Sequence, residues 1–194
     1  MSKYSGEHAQ TSGTAGGYLR SALNFIAMIV LVFVMAWAMR TFIFGAYEIP
    51  SGSMENTIMV DDRVFAEKIS YYIDDPQQGD IVTFDDPEIH GRTLIKRIIA
   101  VGGQTVDLID GVVYVDGQPL DEPYTEGKPS YPLVPAYGVD ITYPYTVPAD
   151  HIWVMGDNRT KSSDSRYFGA VPASSVSGKA VFTYWPISSI GILE

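Results

Sequence analysis

From Leu23 to Met39 the chain reads LNFIAMIVLVFVMAWAM, 17 residues interrupted only by Asn24. At 1.5 Å per residue the run spans roughly 25 Å, slightly short of a ~30 Å hydrocarbon core. Thr41–Phe44 extends it once the Arg40 side chain snorkels toward the interface. Lys3 and Arg20 ahead of the run favour a cytoplasmic N-terminus, with Arg40 behind it as the opposing vote. The alternative is a cleaved secretory signal, and Ala36-Trp37-Ala38 resembles an Ala-x-Ala cleavage site. The run is longer than a usual signal core and resumes after Arg40, which favours a retained anchor. Either way, everything beyond about residue 45 is expected outside the cytoplasm.

The 194 residues allow one membrane segment and one globular domain of ordinary size. The expected layout is a disordered cytoplasmic tail over 1–20, an anchor over 21–44 and a domain over 45–194. Charge is divided unevenly along it. Residues 1–40 carry Lys3, Arg20 and Arg40 against Glu7, whereas residues 41–194 carry 10 basic and 22 acidic side chains. A domain this acidic repels phosphates, so nucleic acid is excluded as a partner, and any contact with membrane lipid must be apolar. The absence of cysteine rules out thiol catalysis, disulfides and thiolate metal sites.

After the anchor the pattern turns to short strands: Arg63–Ile69, Asp80–Phe84, Thr93–Val101, Thr105–Ile109, Val112–Val115, His151–Met155 and Lys179–Tyr184. Asp110-Gly111 between two of them is a strong hairpin signal. Residues 118–150 hold seven prolines and several tyrosines, which disfavour regular strands and point to an irregular excursion. No sustained helical period follows residue 45. The fold class is therefore mainly β, a compact barrel-like set of sheets behind one N-terminal transmembrane helix.

Three stretches carry candidate chemistry. In Glu48–Ile58 (EIPSGSMENTI), Pro50 and Gly52 bracket a turn that exposes the Ser53 hydroxyl. Alone, Ser-Gly-Ser is commonplace in loops and reads as a solvated turn. Lys96 lies in the middle of Thr93–Val101, the most apolar strand outside the anchor. Facing inward, its amine would lose solvation and with it much of its basicity, and could then take the Ser53 proton. The other reading, with Lys96 in solvent and Arg97 inside, stands beside it. The third stretch is Gly156–Arg166 (GDNRTKSSDSR), whose side chains can fold it on itself through hydrogen bonds and Asp–Arg pairs. The histidines offer no rival base: His8 is on the wrong side, and His90 and His151 lack a catalytic context. No metal-binding or nucleotide-binding motif appears, so neither metal nor cofactor is expected.

Together these stretches resemble the type I signal peptidases, membrane-bound Ser/Lys peptidases that remove signal peptides. The resemblance covers roughly residues 25–190. The family's nucleophile motif looks like SGSM-x-PTL and reads SGSMENTI here. Its lysine motif looks like KRIIG-x-PGD and reads KRIIAVGGQ. Its last motif looks like GDNR-x-x-S-x-DSR and is complete at every fixed position. GDIVTF and the terminal YWPISSIGIL are also similar to the family. The resemblance implies Ser53 as nucleophile and Lys96 as general base. It implies an oxyanion hole from the Ser51 hydroxyl and the Ser53 N–H, and a Ser162 hydroxyl that hydrogen-bonds and orients Lys96. Arg97, Asp157, Asn158, Arg159, Asp164 and Arg166 would brace the site. It further implies cleavage of exported precursors after a small residue, and proximity to the secretion translocon. Asn56, Ala100, Gly102 and Gln104 depart from the motifs and place loop geometry in question rather than a reacting group. A non-catalytic tethered β module would not need Ser53, Lys96 and Ser162 together. A Ser/Lys self-cleaving regulator would carry a DNA-binding module where this chain has its apolar run.

Overall fold

The computed structural model describes residues 14–193. The apolar run forms α1, Thr14–Phe42. Its segment Gly16–Phe42 is long and apolar enough to cross a membrane. The helix begins earlier than the expected anchor and takes in residues 14–20, because extending an existing helix needs only one more hydrogen bond per residue. The tail expectation for residues 1–13 lies outside the described residues. From Phe42 onward the chain forms a separate compact unit.

That unit is mainly β, as expected. Its first strands are β1 (Phe44–Glu48), β2 (Arg63–Glu67), β3 (Ile81–Asp85) and β4 (Thr93–Val101). A hairpin and its flanks follow: β5 (Thr105–Ile109), β6 (Val112–Val115), β7 (Gln118–Pro119) and β8 (Tyr145–Thr146). The last are β9 (His151–Met155), β10 (Val171–Pro172), β11 (Val176–Trp185) and β12 (Gly191–Ile192). The large sheet has the order β1-β2-β11-β3-β4-β9-β10, with β12 added to β11. It curls into a half-barrel. Register shifts at Ala180/Phe182, Val176/Gly178 and Ile98/Ala100 supply the extra residues that bend such a sheet. The small sheet runs β7-β6-β5-β8.

Local chemistry explains the turns. Asp110 and Gly111 both take positive φ (50° and 83°), the two-residue turn whose twist matches paired strands. Between β7 and β8 the proline-rich excursion makes only a single turn of 3₁₀ helix, Pro123–Thr125. Three apolar clusters hold the sheets. Trp153 and Met155 pack with Ile99 and Val106; Met54 and Ile58 pack with Val64 and Ile81; Phe84 packs with Ile98, Val154 and Phe168. Burial of each such side chain contributes about 1.5–3 kcal/mol.

One pairing matters most for function. β4 lies between β3 and β9, with Arg97 opposite Met155. The strand that carries Lys96 is thereby registered against the residue that precedes Gly156.

Candidate active site

Ser53 sits in a 3₁₀ turn, Gly52–Met54. Met54 and Ile58 are fully buried and pin the turn to the core. Ile49 N–H donates to the Asp62 carbonyl (2.9 Å) and Asp61 N–H to the Ile49 carbonyl (2.9 Å), which fixes the entry of the segment. Ser53 is itself only 6% exposed. Ser51 Oγ lies 3.5 Å from Ser53 Oγ. The Ser53 N–H falls in the first turn, where amides lack an intrahelical partner.

Strand β4 does not choose between its two cations. It is buried from Ile95 to Ala100, and Lys96 and Arg97 are each 3% exposed. Lys96 Nζ donates to Ser53 Oγ at 2.7 Å and to the Ile95 carbonyl at 2.9 Å. Burial lowers its pKa from 10.5 to about 8, against the opposing pull of Asp164 and Asp157. At pH 7 about a tenth of the amine would then be neutral, hundreds of times more than for a free lysine.

Arg97 forms a two-pronged pair with Asp157, Nε to Oδ1 at 3.0 Å and Nη2 to Oδ2 at 2.8 Å. Thr57 Oγ1 donates to the same carboxylate. Asn158 N–H donates to the Ser53 carbonyl (3.1 Å), and its Nδ2 donates to the Gly52 carbonyl (2.9 Å) and to Glu55 Oε2 (2.8 Å). Asp164 accepts from the Gly156 N–H and pairs with Arg166. It also caps the short helix α2, Ser165–Phe168. Arg166 Nη2 donates to the Arg159 carbonyl, and Arg159 Nε to that of Gly156. Gly156 is obligatory here, because a Cβ at that position would strike the Ser53 carbonyl and Ser162 Oγ.

One expectation changes. Ser162 lies beside the pair, 8% exposed, but does not hydrogen-bond Lys96; its Oγ is buried with no partner among the described residues. The Lys96 ammonium has three donors, and the two assigned bonds go to Ser53 and Ile95.

A family model described as "Signal peptidase, peptidase S26" matches residues 22–185. The chain belongs to the signal peptidase family. Signal peptidase I of Leptolyngbya laminosa is 40% identical over 176 residues, covering 87% of this chain and 82% of that protein. Signal peptidase I of Mycobacterium tuberculosis is 35% identical over 228 residues, covering 90% and 76%. A crystal structure of a signal peptidase I from Enterococcus faecalis has 33% identity, a TM-score of 0.43, and covers 55% of this chain and 97% of that one.

For this signal peptidase family member, the motif departures have local explanations. Gln104 accepts from Val101 N–H through Oε1 and donates to Asp116 through Nε2, so its side chain closes the turn after β4. Ala100 is fully buried opposite Trp153. At Gly102 a Cβ would meet the Pro148 carbonyl at 3.0 Å. Asn56 has φ of 91°, which a proline ring cannot adopt.

The sequence reading missed Glu122, Tyr124, Thr57 and Glu55. Glu122 makes a two-pronged pair with Arg159 (2.7 and 2.5 Å). Tyr124 lies under the Arg97 guanidinium, 4.0 Å from its ring centroid. A signal for the carboxylate did exist. The bracing set contains three arginines against two aspartates, and buried cations need partners.

Proposed function

We propose that this chain is a membrane-anchored serine endopeptidase that cleaves signal peptides from exported precursors after a small residue. Neutral Lys96 takes the Ser53 proton as Ser53 Oγ attacks the scissile carbonyl. The Ser53 N–H and Ser51 hydroxyl donate to the oxyanion. The Lys96 ammonium returns a proton to the departing amine, and then the same amine deprotonates the water that hydrolyses the acyl-enzyme. A rotamer change at Ser162 would let its hydroxyl accept the remaining Lys96 N–H and hold the amine in line.

The observation that carries this reading is the 2.7 Å contact between a buried lysine amine and a buried serine hydroxyl. In this arrangement α1 is the anchor, the N-terminus is cytoplasmic and the β unit from about residue 45 is extracytoplasmic. Precursors bearing signal peptides are the substrates, met in the membrane lipid near the secretion translocon, with no nucleic-acid role.

The test is to incubate the detergent-solubilised protein with a secretory precursor and sequence the new N-terminus. Ser53→Ala and Lys96→Ala should each abolish cleavage. Ser51→Ala should slow it by roughly a hundredfold, the loss expected for one oxyanion donor. Cleavage by Lys96→Ala at the wild-type rate would remove the base from the mechanism.

A further inference from the structure

The turn that carries Ser53 contains one residue whose backbone its family motif would forbid. Asn56 sits at φ 91°, a region open to glycine, asparagine and aspartate but closed to proline. At this point Thr57 N–H and Ile58 N–H both return to the Met54 carbonyl (3.1 and 2.8 Å), and Thr57 Oγ1 reaches Asp157. The unusual φ thus aims Thr57 at the carboxylate that Arg97 holds.

The Asn56 side chain is engaged on both ends. Its Nδ2 donates to the Tyr124 carbonyl at 3.3 Å, and its Oδ1 accepts from Lys128 Nζ at 3.1 Å. Both partners belong to the excursion, about 70 residues away in sequence. The same short segment reaches the site by a second route. Glu122 pairs with Arg159, which holds the Gly156 carbonyl, and Tyr124 stacks on Arg97. Asn158, two residues past Gly156, donates to the Ser53 carbonyl. The contacts close a ring: nucleophile turn, excursion, arginines, Gly156–Asn158, and back to the turn.

We infer that Glu122–Lys128 is a strap that positions Ser53, and that Asn56 is the residue that fastens it. Where a proline would stiffen the turn through its own ring, this chain holds the turn from outside. Asn56 is a positioning residue: it touches neither substrate nor the reacting atoms. The inference rests on the peptidase reading for its kinetic consequence, but not for its structural one.

The test uses the full chain in detergent with Asn56→Gly, Asn56→Asp and Asn56→Pro. Glycine keeps the positive φ and loses both side-chain bonds. Amides 124–128 should then exchange hydrogen about fivefold faster, the scale of one or two exposed hydrogen bonds. On a precursor, kcat should fall about threefold with KM within about twofold and the midpoint of the pH–rate profile unmoved. Aspartate tolerates the φ and still accepts from Lys128, so it should recover part of the loss. Proline should lower kcat by about tenfold or more. Unchanged strap exchange in Asn56→Gly, or wild-type kcat in Asn56→Pro, overturns the strap. Should Asn56→Pro not fold, the glycine and aspartate variants decide. Should the wild type cleave no precursor, the peptidase reading falls, and the exchange measurement alone decides the strap.

Discussion

Lys96 is where chemistry and stability oppose each other. An ammonium that is 3% exposed has lost most of its hydration, and two hydrogen bonds do not replace it. Its pKa of about 8 lies below the free value of 10.5, so the two states lose the proton at different pH. Below about pH 8 both folded and unfolded chains hold the proton, and the destabilisation is full. Between the two values the unfolded chain binds more protons, so stability rises with pH; above 10.5 the contribution ends. Lys96→Met should therefore stabilise the β unit at neutral pH by about 2 kcal/mol, after allowing for the lost hydrogen bonds. A melt at pH 7 should show it several degrees higher. The difference from wild type should shrink as the pH goes from about 8 to 9.5. Activity follows the same titration in the other sense: wild-type kcat/KM should climb to a midpoint near pH 8. A flat melting difference, or an activity limb centred near the free-lysine value, would contradict the buried amine.

At the scale of elements, the site is a strand, a turn and a loop held at one register. Arg97 opposite Met155 brings Gly156 to the β4 edge, and its missing side chain lets the Ser53 carbonyl and Ser162 come close. Gly156→Ala should therefore do more harm than one methyl suggests. The carbonyl is backbone and cannot swing aside, so the turn must move to open a 2.4 Å approach to at least 3.0 Å. Because Asn158 binds that same carbonyl, kcat should fall at least about a hundredfold, the scale associated with small misplacements of reacting groups. Assays of the variant beside its melting curve separate this from unfolding. Strands β2 to β6, β9 and β11, the Asp110-Gly111 hairpin and the three motifs were legible because their signals are local: alternation, turn chemistry and fixed spacing; β1 and the two-residue strands β7, β8, β10 and β12 were not. Glu122 and Tyr124 were not. Their partners lie 37 residues away at Arg159 and, for Tyr124, at Arg97, and no local period marks a residue chosen by a distant charge. The alternation rule also failed at β4, where burial on both faces admits Lys96 and Arg97 together.

For the whole molecule, the question is what the anchor contributes to the rate. The β unit from Phe42 onward holds three apolar clusters of its own. The proposed nucleophile and base, Ser53 and Lys96, both lie in that unit. A chain lacking α1 should then fold and cleave a short soluble peptide within a fewfold of the full-length rate. It will need detergent, because Phe44, Trp185, Ile187 and Ile192 are exposed. Confining enzyme and precursor to one bilayer raises their effective concentration, which a soluble enzyme cannot share. With precursor reconstituted in vesicles, removing α1 should lower the rate by about tenfold or more, and added detergent should abolish the difference. Equal loss on peptide and precursor would mean that α1 supports the fold of the β unit. No loss on either would mean that the apolar segment adds nothing to substrate capture, and that the anchor only retains the enzyme at its membrane.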